Sequence, residues 1–138
     1  MRADFYLLSR TLSETSLFVC QLLQKIYEKN FSIYVYVSSE EKAKTLDALL
    51  WTFDDTSFIP HAIHKNDATP SIPVTISHIP STFKQQVLCN LTFEIPSFYE
   101  NYERIVEVVS QEEEQRELAR KKYQFYQKSN FELQTYSL

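Results

Sequence analysis

Three groups of residues in this 138-residue chain have side chains suited to chemistry or recognition. The first is His61 and His64, with Asp54 and Asp55 upstream and Asp67 downstream. Imidazoles and carboxylates ligate metals, but a metal site needs several of them to converge. In a strand, residues three apart point to opposite faces, and no third ligand stands at a useful spacing, so no metal site is expected. His78 is isolated and reads as a surface or hydrogen-bonded histidine. The second group is the stripe Arg116, Arg120, Tyr123, Gln124 and Gln127. These positions are three and four apart and share one side of a helix. Two guanidiniums beside an aromatic ring can grip a carboxylate through paired N–H donors and hold an apolar side chain next to it. Spacing alone favours a simpler reading, a solvated face on which Glu113, Glu117 and Lys121 make ordinary helix pairs. The third group is Trp51, the only tryptophan, followed by Phe58 and Pro60-His61. Aromatics of this size in a connection are either core residues or anchors for a partner.

Much familiar chemistry is missing. The chain contains no glycine. Phosphate-cradling loops need glycine for backbone N–H groups to approach the anion, so neither the dinucleotide fingerprint nor the Walker loop can exist in its usual form. There is no Gly-x-Ser-x-Gly elbow, and no Ser or Cys has an activating signature around it. No cofactor is expected and a binding module is favoured over a nucleotide enzyme, although enzymes without local motifs exist, so these absences lower the case for catalysis without abolishing it. The net charge of −4 argues against broad nucleic-acid or anionic-membrane binding. Cys20, in a helical pattern, and Cys89, in a strand pattern, read as buried core thiols. The apolar part of Met1–Leu8 is too short for a signal peptide, and no apolar run reaches the ~20 residues of a membrane span, so a cytoplasmic location is expected. Asn90-Leu91-Thr92 matches a glycosylation sequon but lies in a strand pattern of a chain not expected to be secreted.

The elements that must position these residues follow from hydrophobic period and turn chemistry. Ala3–Leu8 is a compact apolar run that suits a buried strand. Leu12–Lys29 has helical spacing, with Thr11 or Ser13 as N-cap and Glu14 in the first turn. Phe31–Val37 is dense in aromatic and β-branched residues and predicts a central strand. Ser38-Ser39-Glu40-Glu41 opens a helix to about Leu50. Ser57–Ile63, Val74–Ile79 and Val87–Phe93 are strand candidates, and His64–Ser71 reads as a surface loop. Phe98–Val109 and Glu112–Lys128 both show helical period, the second opening on Glu112-Glu113-Glu114, where the helix dipole favours acids. Phe131–Leu138 is too short to classify. The order predicts one α/β domain over residues 1–138: three layers, a mostly parallel open sheet with helices on both faces.

With these residues on the page, the chain resembles the chi subunit family of bacterial DNA polymerase III. The resemblance runs nearly end to end and rests on three blocks. They are Asp4-Phe5-Tyr6-Leu7-Leu8, then Leu46-Asp47…Leu50-Trp51…Ser57-Phe58-Ile59-Pro60-His61, then Leu118-Ala119-Arg120-Lys121-Lys122-Tyr123…Tyr126…Asn130-Phe131. Residues 64–95 match poorly. The resemblance implies a single α/β domain without catalysis, an accessory of the clamp loader that binds two proteins. One is the psi subunit, to whose side Trp51 and Phe58 correspond. The other is the acidic C-terminal tail of single-stranded DNA-binding protein, which ends in a phenylalanine carboxylate. To its site correspond Arg116, Arg120, Tyr123 and Gln124, with Val109 in the apolar pocket. Gln124 and Gln127 stand where better-known members carry basic side chains, and Arg116 where lysine is common. The site is thus less cationic than the family's unless Lys121, Lys122 or Lys128 turns toward it. The resemblance reverses the reading of the helix stripe, which now has an anionic ligand.

Two other readings compete. A small α/β hydrolase or transferase would have a deep cleft with convergent titratable groups at the strand C-termini. A direct single-stranded DNA binder would use the aromatics as stacking platforms, against which the acidic net charge speaks.

Overall fold

The structure, a computed structural model, describes residues 1–56, 58–64, 72–81 and 85–138, with Gln85 described in its backbone only. The elements run β1 (Arg2–Leu7), α1 (Thr15–Glu28), β2 (Ile33–Tyr36), α2 (Glu40–Thr52), β3 (His61–Ile63), β4 (Val74–Ser77), β5 (Gln85–Asn90), β6 (Tyr102–Val109), α3 (Glu113–Lys128) and β7 (Glu132–Ser137). The seven strands form one sheet in the order β3-β4-β2-β5-β6-β1-β7, and every described pairing is parallel.

Parallel strands need crossovers, and the crossovers put helices on both faces. Alternation along each strand assigns the faces. Ile33 and Val35, Val87 and Cys89, and Val106 pack under α1 and α2 with Val19, Leu23, Ala43, Leu46 and Leu50. Tyr34, Leu88, Ile105, Ala3 and Phe5 pack on the opposite face with Ala119 and Tyr126 of α3. Cys20 and Cys89 are buried in the first of these cores, unpaired, as expected. Burial pushes the Cys20 thiol up to about 11 and the Cys89 thiol up to about 12.

A chain without glycine must still stop its helices. α1 and α3 both end in a left-handed residue, Asn30 at φ 66° and Asn130 at φ 64°. Asparagine tolerates this region better than other residues with a Cβ. At α2 the Ser39 hydroxyl accepts from the Lys42 N–H at 3.2 Å, as an N-cap should.

One expectation needs correction. Residues 98–109 are not a helix but a short 3-10 turn, Tyr99–Asn101, followed by strand β6. Phe98, Tyr102, Ile105, Val106 and Val109 do recur at helical spacing. A central parallel strand is buried on both faces, however, and loses its period of two. The β-branched run Ile105-Val106…Val108-Val109 was the signal that could have decided for a strand. The tail, too short to classify from sequence, is strand β7. The expected surface loop at 64–71 lies, apart from His64, outside the described residues.

Candidate functional site

Trp51 is in the last turn of α2, and Phe58 follows in the connection to β3. Both rings are in solvent, 57% exposed for Trp51 and 67% for Phe58, and their centroids are 6.0 Å apart. Behind them lies buried His61, 4.7 Å from the Trp51 ring. The His61 ring is itself fixed, with Nδ1 at 2.6 Å from the Ile59 carbonyl and Nε2 at 3.2 Å from the Asp47 carbonyl. The pair is therefore an exposed apolar patch on a rigid support, not part of the core. His64 is half-buried after β3, His78 is exposed, and Asp67 lies outside the described residues. Among the described residues, no group of three or more His, Cys, Asp or Glu side chains could hold a metal ion.

α3 has two flanks. Ala119, Lys122 and Tyr126 face the sheet. On one flank Leu118, Lys121 and Phe125 line a cleft of about 460 Å³ with Phe93, Ile95, Pro96 and Tyr99. The other flank carries Arg116, Arg120, Tyr123 and Gln127, and it overlooks β1 and β7, with the Tyr123 ring 5.5 Å from Phe5. The structure thus brings together most of the stripe seen in sequence but gives its members different tasks. Arg116 donates from Nε to the Ser110 carbonyl at 3.0 Å and from Nη2 to the Leu8 carbonyl at 2.8 Å, clipping together the chain beyond β6 and β1. Val109, next to this clip, is 5% exposed and packs in the core. The Arg120 side chain is 61% exposed and, among the described residues, pairs with the still more exposed Glu113, Nη2 to Oε1 at 3.0 Å. Such a pair is worth ~0–1 kcal/mol, so a better carboxylate can displace it. Gln124 and Gln127 are exposed. Lys121 lies on the far flank, and Lys122 is buried against Glu107 at 2.9 Å, so neither supplements the charge of this flank. Glu113, read from sequence as a member of ordinary helix pairs on this face, is the partner of Arg120, two turns away.

The carboxyl ends of the strands border a larger groove of about 1020 Å³, where an α/β enzyme would place its site. Its walls are mostly apolar or hydroxyl-bearing, among them Val37, Leu46, Leu91, Val108, Thr45 and Thr92. Its ionisable residues are Lys42, whose ammonium lies over the Phe93 ring, and Glu112, held below the usual carboxylate range by the Leu12 N–H.

Residues 1–134 match the family model described as DNA polymerase III chi subunit, HolC. The chain belongs to this chi family. Relatives named DNA polymerase III subunit chi include those of Pseudomonas aeruginosa, 32% identical over 99% of this chain and 96% of its own length, and of Haemophilus influenzae, 26% identical over 96% and 94%. The Escherichia coli K12 relative is 26% identical over 96% of this chain and 95% of its own. Among solved structures, a chain of the S. cerevisiae Dbp5 complex with ADP superposes with a TM-score of 0.62 at 10% identity. It covers 97% of this chain and 41% of that one, a likeness of fold alone. Membership in the chi family gives the chain an accessory role in DNA replication. No helix among the described residues is long and apolar enough to cross a membrane.

Proposed function

We propose that the chain is a non-catalytic replication adaptor. It links the clamp loader, through a psi-type subunit docked on Trp51 and Phe58, to the acidic C-terminal tail of single-stranded DNA-binding protein docked on the Arg120 flank of α3. The observation that carries this reading is the placement of the two surfaces. The Trp51–Phe58 patch adjoins β3 through His61, and β3 is one edge of the sheet. The Arg120 flank overlooks β7, the other edge. Six inter-strand spacings separate the edges, about 29 Å at about 4.8 Å each. Two partners held that far apart do not compete, which is what an adaptor requires. The groove at the strand carboxyl ends supports the non-catalytic reading, because among the described residues that line it only Lys42 and Glu112 are ionisable.

On the tail side, Arg120 pairs with the terminal carboxylate and the terminal ring packs beside Tyr123, toward Val109. Arg116 contributes long-range charge, since its Nε and Nη2 are held by carbonyls. The test is a titration of a labelled acidic peptide ending in Phe with a free carboxylate. Arg120→Ala should weaken it by ~1.5–3 kcal/mol, the range for a hydrogen bond to a charged group. Gln124→Lys should strengthen it by adding the charge the family carries there. Equal binding by wild type and Arg120→Ala would place the tail elsewhere.

A further inference from the structure

The two edges of the sheet are built differently. β3 is only three residues long, a common way to blunt an edge against pairing with another chain. β7 is six residues long and pairs, among the described residues, with β1 alone. It contains no proline and no lysine, and its one charged residue, Glu132, stands at its start. Five of its six residues are exposed. It is a long, unguarded edge strand.

The ladder shows which β7 groups are free. The Glu132 N–H donates to the Met1 carbonyl at 2.9 Å, and the Leu138 N–H donates to the Leu7 carbonyl at 2.9 Å. The Leu138 carbonyl accepts from the Ser9 N–H at 3.2 Å. In a parallel ladder, alternate residues bond to the same neighbour. Glu132, Gln134 and Tyr136 therefore turn their backbone groups toward β1, and Leu133, Thr135 and Ser137 turn theirs outward. Alternation also places the side chains. Tyr136 stacks on Tyr6 at 4.9 Å, on the face away from α3, and Leu133 packs with the α3 core. The outward-facing residues thus have their side chains on the same face as α3, the face that carries Arg120.

We infer that β7 is a β-augmentation site: an extended acidic peptide adds to its outer edge as an eighth strand. The peptide backbone bonds to Leu133, Thr135 and Ser137, and alternate side chains on the α3 face lie beside Tyr123 and Arg120. Charge selects the occupant. Arg116 and Arg120 line the α3 flank, while on the other face Arg2, which donates to the Tyr136 hydroxyl at 3.2 Å, shares the one carboxylate of Asp4 with Arg104. Main-chain bonds would then supply affinity that a flank with glutamines at 124 and 127 does not supply through charge. This inference rests on the reading that the α3 flank takes an acidic peptide.

The experiment uses the full chain and the acidic, Phe-terminated peptide. With the peptide at about ten times its Kd, amide exchange at Leu133, Thr135 and Ser137 should slow by about tenfold, with smaller changes at Gln134 and Tyr136. Thr135→Pro deletes an outward N–H without touching the β1 ladder, and should weaken binding by about tenfold while leaving the melting temperature near wild type. Peptides N-methylated at every second residue, made in both phases, are tested on the wild-type chain, so this arm does not depend on the variant folding. One phase should bind and the other should not. Equal binding by both phases, or unchanged exchange along β7, overturns the edge site even if Arg120→Ala still weakens binding. If the unmodified peptide does not bind at all, the reading of the α3 flank falls and the edge site with it.

Discussion

Trp51 owes its position to its neighbours rather than to burial. His61 holds one side of its ring, Phe58 lies beside it, and His61 is held in turn by two main-chain carbonyls. An exposed aromatic already fixed in place loses little entropy when a partner covers it. Trp51→Ala should therefore cost a psi-type partner ~2 kcal/mol or more, read by calorimetry, while changing folding stability by ~0.5 kcal/mol or less. A cooperative loss of folding would instead assign the ring to the core. At the same scale, Arg116 and Arg120 are one residue type in two states. The first is tied to two carbonyls and the second is held by one weak surface pair. Only the second is free to grip a carboxylate with paired donors.

α3 presents its flank from a fixed height because a buried polar network fastens it to the sheet. Glu107 of β6 accepts from Lys122 Nζ at 2.9 Å, from Asn90 Nδ2 at 2.9 Å and from the Tyr126 hydroxyl at 3.0 Å. Lys122 also donates to the Thr92 carbonyl at 2.7 Å. The network gives Asn90 a structural task, in agreement with setting aside its sequon. Burial pushes the Glu107 carboxyl above its ordinary range, while Lys122, Asn90 and Tyr126 pull it down. Lys122→Met leaves a buried carboxyl without its cation and should cost ~3–5 kcal/mol, measured by urea unfolding. Its pH dependence has a defined sign. With its pKa raised in the folded state, Glu107 holds its proton more tightly when folded than when unfolded. Stability of the variant should thus fall as pH rises from the ordinary carboxylate range through the raised folded value, and level off above it. Adding Glu107→Gln to Lys122→Met should recover part of the loss and flatten that dependence. Equal pH profiles for the single and double variants would refute this account.

The molecule as a whole is acidic, with a net charge of −4, and several of its positive groups among the described residues are already engaged. Asp4, fully buried, holds Arg2 at 2.8 Å and Arg104 at 2.7 Å, while Glu107 holds Lys122. Among the described residues no broad basic face is left to displace counterions from a phosphate backbone. The purified chain should show no binding to a bare single-stranded oligonucleotide at low micromolar concentration in ~150 mM salt, measured by fluorescence anisotropy. Binding in that range would favour a direct nucleic-acid reader over an adaptor.

Local patterns in the sequence determined most of the helices and strands, because amphipathic period, caps and β-branched runs are short-range properties. They led to α1, β2, α2, β4, β5 and α3 within a few residues, and to an α/β layer order. The motif around Trp51 and the stripe on α3 were equally legible, since helical spacing alone aligns Arg116, Arg120 and Tyr123. Tertiary structure decided what depends on pairing between distant residues. β6 looked helical because a strand covered on both faces has no alternation to display. The carbonyls that engage Arg116 include that of Leu8, 108 residues away, so no local pattern could separate its role from that of Arg120. Edge status is a property of strand order, and only the pairing of β7 with β1 shows that the last strand lies open beside the basic flank.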